Sequence, residues 1–157
     1  KKSEIESKIN QAAQIFKTTP GISNVKTSMD FDNYIIKLSC SFKKIENVNA
    51  GLEQLKAKNI IGKMIPTNIY TSNFAKKTFT RNKVNTFKDD YQKLSAADKE
   101  VFATAKYTSV LQFENTIKSQ SNAIYQLSPN KKAVKVDGNI LDFILEKKPL
   151  QNNIQLQ

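Results

Sequence analysis

Between Val25 and Phe42 the chain alternates apolar and polar residues on either side of Asp32-Asn33. A two-residue connection of that kind suits a tight hairpin. Pairing the strands about it sets Phe31 against Tyr34, Met29 against Ile36, Thr27 against Leu38 and Val25 against Cys40. The apolar residues then fall on one side, with Lys26, Ser28, Asp30, Lys37, Ser39 and Ser41 on the other. Register and pattern agree on a half-buried antiparallel pair. Upstream, Ile5, Ile9, Ala12 and Phe16 recur every three or four residues and predict a helix over 3–19. Ser3 and Glu6 have capping-box spacing, and Pro20-Gly21 stops the helix. Val48, Leu52 and Leu55 predict a second helix over 47–58.

Residues 69–84 read as strand-like, with Tyr70, Ser72 and Phe74 alternating before a kink at Ala75-Lys76-Lys77. A short helix is predicted over 87–94. Ser95 and Asp98 repeat the cap spacing and open another, carrying Val101, Phe102 and Ala105. Tyr107, Ser109, Leu111 and Phe113 alternate as a strand, and so do Ala123, Tyr125 and Leu127. The turn Ser128-Pro129-Asn130-Lys131 leads to Val134 and Val136. Asp137-Gly138-Asn139 ends that strand and caps a helix over 140–147, which Pro149 breaks. Leu150, Asn152, Ile154 and Leu156 make a closing strand, read as an edge or a clip. The pattern predicts an α+β fold, a mostly antiparallel sheet with helices packed on one face. A length of 157 residues fits a single domain, 1–157, which could divide into loosely similar halves at 1–86 and 87–157.

Composition narrows the chemistry. The chain has no histidine, no tryptophan and one cysteine. It cannot build a Ser-His-Asp or Cys-His nucleophile, an HExxH zinc site or a Cys/His finger. With four glycines and no GxxxxGK[ST], GxGxxG, GxSxG or CxxC, it lacks a phosphate-cradling loop. Cys40 falls in phase with Ile36, Leu38 and Phe42, which predicts a buried apolar cysteine. No cofactor, metal or catalytic residue is expected. Asp89, Asp90, Asp98 and Glu100 are the densest acidic cluster. Their spacing does not match a calcium loop, and helix starts favour carboxylates through the helix dipole.

The net charge is +11, carried by lysines and a single arginine, Arg81. Phosphate and base readers favour the arginine fork, and here the lysines are scattered in runs no longer than two. Nucleic acid is therefore disfavoured as a partner. The Lys-, Asn- and Ile-rich composition also follows from AT-rich codons. One stretch interleaves rings and cations: Tyr70, Phe74, Lys76, Lys77, Phe79, Arg81 and Lys83, with Phe87 beyond. Exposed rings beside cations can stack on bases or sugars. This is the candidate binding surface, and a polyanion or nucleic acid bound there is the alternative function.

The stretch Leu94-Ser95-Ala96-Ala97-Asp98-Lys99-Glu100, continuing into Ala105–Phe113 and Ile117–Ala123, carries a resemblance, as does Leu127–Val134 with its following helix and closing strand. Residues 90–157 resemble small cell-envelope lipoproteins of Bacteroidota, exported proteins with no assigned activity. The resemblance implies a domain tethered by lipid at a cysteine upstream of Lys1. The start Lys1-Lys2-Ser3, without methionine, suggests a processed mature protein. The expectation is a non-enzymatic exported module of the bacterial cell envelope, lipid-anchored at the membrane and binding a protein or envelope polymer. No run approaches the ~18 apolar residues of a membrane-spanning helix.

Overall fold

The computed structural model describes residues 2–33, 35–62, 65–84 and 87–157. Five helices and nine strands among them make an α+β fold whose strand pairs are all antiparallel. The chain divides into two compact units, Lys1–Asn68 and Ile69–Gln157.

The first unit is a helix, a hairpin and a second helix. Helix α1 (Lys2–Thr18) buries Ala12, Ala13, Ile15 and Phe16, so its apolar stripe is real only in its second half. Ile5 is exposed, and Ser3 lies inside the first turn and does not cap it. Strands β1 (Ile22–Asp30) and β2 (Ile35–Phe42) pair Met29 with Ile36 and Thr27 with Leu38, the predicted register. Tyr34, predicted opposite Phe31, lies outside the described residues. The register slips by one between Ser23 and Lys26, where Asn24 adopts φ +51° and bulges the strand. Helix α2 (Ile45–Ala57) starts two residues before the predicted point, because the Asn47 side chain accepts the Lys44 N–H. Phe16, Ile22 and Leu55 form the core, with Val25, Leu38, Cys40 and Leu52 packed on it. Both helices thus cover one face of the hairpin.

Gly21 joins α1 to β1 at φ +81°, and its carbonyl accepts the Lys43 N–H. A Cβ there would lie 2.6 Å from the Asn47 side chain. Left-handed backbone and lack of space both require glycine. At Gly51 the missing side chain lets α2 close on the Phe16 ring, 3.1 Å from where a Cβ would stand.

The second unit joins two sheets by their inner faces. One has the order β3 (Tyr70–Asn73), β4 (Thr78–Arg81), β9 (Asn152–Leu156), β6 (Ile117–Gln120). The other has the order β5 (Lys106–Gln112), β8 (Ala133–Asn139), β7 (Gln126–Leu127). Ile117, Tyr125, Val134, Val136, Phe143 and Ile154 form their shared core. The closing strand is not an edge: β9 lies between β4 and β6, and Ile154 is 0 % exposed. Its other inward residue, Asn152, is equally buried, and its amide is satisfied by Gln120 and the Asn122 N–H. A buried amide breaks the apolar alternation, which is why the strand reads as peripheral. The pair at 70–81, placed by its sequence in the first of two halves, joins β9 in this unit.

The remaining elements follow prediction with local differences, save that the strand predicted at Ala123, Tyr125 and Leu127 is reduced to β7, because the Tyr125 N–H bonds the Asn122 carbonyl in a turn. Helices α3 (Lys88–Lys93) and α4 (Ala96–Ala103) lie where expected, and the Ser95 hydroxyl accepts the Asp98 N–H at 3.2 Å. Helix α5 (Ile140–Ile144) is shorter than expected, ending before Glu146 at φ +59°. Its cap is Asn139, while Asp137 and Gly138 belong to β8. Strand β6 has no alternating signal, since Ile117 is its sole apolar residue and a bulge follows it.

Candidate binding site on the 70–84 hairpin

The kink predicted at 75–77 is a complete reversal. Asn73 Oδ1 accepts the Lys76 N–H at 2.9 Å, the Phe74 carbonyl accepts the Lys77 N–H at 3.2 Å, and Lys77 sits at φ +52°. Strands β3 and β4 then pair Tyr70 with Arg81 and Ser72 with Phe79. These four residues share a face, because side chains alternate along a strand. The predicted stripe is thereby divided.

That shared face is the inner one. The Phe79 ring stands 5.5 Å from Tyr70 and meets Phe113 edge-on at 5.2 Å. Arg81 is 6 % exposed. Its Nη2 donates to the Tyr107 hydroxyl at 2.7 Å and its Nη1 to Ser109 Oγ at 3.1 Å. The guanidinium carbon lies 5.8 and 5.7 Å from the Tyr70 and Tyr107 rings. Among the described residues Arg81 enters no ion pair, and its Nε has no acceptor. The charge is held by hydroxyls and π faces instead of a carboxylate. Two divergent donors and a flat stacking plane suit arginine and not lysine, which explains the chain's one departure from lysine. Burial pushes the Tyr125 phenol up to about 12, against the opposing pull of Arg81, and raises Tyr70 as well. Tyr70, Phe79 and Arg81 are therefore parts of the core and do not belong to an outer binding surface.

Phe74, Lys76 and Lys77 are on the outside. Phe74 is 68 % exposed, and both lysines are exposed beside it. The turn that carries them is held from behind. Gln155 Nε2 donates to the Lys76 carbonyl and the Leu156 N–H to the Lys77 carbonyl, each at 2.9 Å. Lys83 lies at the other end of the hairpin. There it lines a cleft of about 330 Å³ with Asn82, Phe143, Glu146, Lys148 and Leu150. Phe87 is half-buried at the start of α3.

The same hydrogen-bond chain brings in residues that the sequence reading missed. The Gln157 N–H donates to Thr116, the Ile117 N–H to Lys131 and the Phe113 N–H to Lys132. Three turns, at 74–77, 113–116 and 128–132, thus meet at one end of the sheets. Lys118, Lys131 and Lys132 stand exposed there near Lys76 and Lys77. The Ser128–Lys131 turn was visible in the sequence, but its pairing with the hairpin was not.

The acidic candidates do not assemble into a site. Asp89, Asp98 and Glu100 are exposed, and Asp98 is engaged with the Ser95 hydroxyl at 2.7 Å. Among the described residues no three metal-binding side chains converge. Cys40 is half-buried against the first unit's core, and burial raises its thiol pKa. No helix among the described residues is long and apolar enough to cross a membrane. No protein-family model, curated protein or solved structure matches the chain.

Proposed function

We propose that the chain is a non-enzymatic binding module of the bacterial cell envelope, exported and lipid-anchored. It engages an envelope polymer or protein through the turn end of the second unit. The observation that carries this reading is Phe74, a ring 68 % exposed beside the exposed Lys76 and Lys77 on a turn whose backbone is pinned by β9. A large apolar side chain held in solvent on a fixed frame gains free energy only when something covers it. The resemblance of residues 90–157 to envelope lipoproteins supplies the cellular setting.

The nucleic-acid alternative loses most of its support with the stripe divided. Stacking platforms need successive exposed rings, and of the three that this reading requires, Phe79 packs inward and Phe87 is half-buried. The test is a photoreactive residue at Ala75 in the full-length protein in its own host, with one at Glu100 as control. Crosslinks from position 75 to envelope components, absent from position 100, are expected, together with metabolic lipid labelling of the precursor. Crosslinks to cytoplasmic components alone, with an unlabelled precursor, would refute the reading.

A further inference from the structure

Lysines occur at both ends of the second unit, but its carboxylates are sorted along the strands. The turn end carries the exposed side chains of Lys76, Lys77, Lys118, Lys131 and Lys132, with Glu114 as its one carboxylate. The other acids of the unit lie away from it. The Asn139 side chain donates to the Ala103 carbonyl and the Ile140 N–H to Ala105, so α4 and α5 sit at the opposite ends of β5 and β8. Asp98, Glu100, Asp142 and Glu146 go with them. Lys99 Nζ reaches the Gln92 carbonyl and Tyr91 meets Phe102 at 5.8 Å, which brings Asp89 and Asp90 to that end too. Asp137 holds Lys135 at 2.6 Å on β8.

From this arrangement we infer that the turn end docks directly on an anionic lipid bilayer, Phe74 entering the interface and the five lysines lying over the headgroups. The inference rests on the envelope reading above and gives it a partner of stated chemistry. A bilayer surface is flat, anionic and apolar a few ångströms down. One exposed ring at the same end of the sheets as five exposed lysines matches all three properties. Lysine suits the task, since a compact ammonium on a long stem reaches many headgroups without needing a bidentate geometry. The turn end directs the molecule, because the carboxylates at the far end are matched by lysines such as Lys88, Lys93, Lys106 and Lys148 and leave little net charge there.

The chain has no tryptophan, so Phe74→Trp introduces a unique reporter. The purified chain is mixed with vesicles of phosphatidylcholine alone or with about a third phosphatidylglycerol, at low salt and at about 0.15 M. Expected are a blue shift of the indole emission on the anionic vesicles only, and binding that weakens with salt. Lys76→Glu with Lys77→Glu should lower binding at least ~20-fold, at about fivefold or more per lysine near the surface. Phe74→Ser should lower it about tenfold, and Glu100→Gln should leave it unchanged. Vesicle binding without a blue shift, and unchanged in Phe74→Ser, would overturn the insertion. Binding to soluble polyglutamate or to an oligonucleotide but not to vesicles would overturn the bilayer as partner. Envelope crosslinks from position 75 with no vesicle binding would do the same while leaving the envelope module intact.

Discussion

The two hairpins close in opposite ways. In the first, the Asp30 carboxylate accepts the Asp32 and Asn33 N–H groups at 3.1 Å and the Asn33 side chain at 2.8 Å. The adjacent ring, Phe31, is half-buried, with Lys2 of α1 4.7 Å above its centre. In the second, the turn is also held by hydrogen bonds, yet its ring, Phe74, is 68 % exposed. The strands differ as well: β1 and β2 form a sheet of two, while β3 and β4 continue into β9 and β6. Where the sheet is small, the tip contributes to the fold. Where the sheet is large, the fold stands without the tip, and Phe74 is free to serve something else.

The largest test of that contrast is Ile154→Ala. Ile154 is fully buried where β9 supports the second hairpin, so truncation should cost ~2–5 kcal/mol in denaturant unfolding. A cost below about 1 kcal/mol would mean that β9 does not support the sheet. Gly21→Ala comes next. Left-handed backbone and the Asn47 contact together should cost ~1–3 kcal/mol, read as a lowered unfolding midpoint.

Alkaline titration probes the second unit's polar layer. The Tyr125 value is raised, so the folded state holds the proton more tightly than the unfolded chain. Its contribution is complete below about pH 10 and is lost as pH rises toward about 12. Phenolate absorbance should show a late phase to which Tyr125 and Tyr70 both contribute, and Tyr125→Phe should diminish it. Acid titration probes the first tip. The three hydrogen bonds, that of the Asn33 side chain foremost, hold the Asp30 carboxyl below its ordinary value, so its contribution is present above that value and fades as pH falls through the lowered one. Asp30→Asn should flatten this part of the stability–pH curve. The smallest effect belongs to Phe74→Ser, expected to leave stability within about 0.5 kcal/mol. A larger loss would place the ring in the fold after all.

The elements that could be read from the sequence were those whose alternation or periodicity faces a single apolar neighbour. Val25, Leu38 and Cys40 are such residues, packed on the first unit's core, whereas Ile36 holds the predicted register with Met29 yet is 43 % exposed. The Ser95 cap is legible as well, because a cap is a local bond between residues three apart. The reading of β9 failed because Asn152 is polar and fully buried, satisfied by residues some thirty positions earlier in the chain. Arg81 misled for the same reason: a cation reads as surface, and only the tertiary partners Tyr107 and Ser109 bring it inside. The candidate stripe mixes two faces of one hairpin, since Ala75-Lys76-Lys77 reads as a kink in the sequence and is a full reversal in the fold. Its outer half, Phe74, Lys76 and Lys77, was legible, whereas the lysines of the neighbouring turns meet it only through long-range pairing.

The central place of β9 also sets an order of events. A ribosome makes β4 and β6 well before it makes 152–156, so neither strand meets the partner that separates them until late in synthesis. Until then each exposes unpaired backbone along the side that β9 will occupy, an invitation to wrong partners. The second unit therefore folds after synthesis has passed Leu156, and a chain truncated before Asn152 should be captured by chaperones or aggregate.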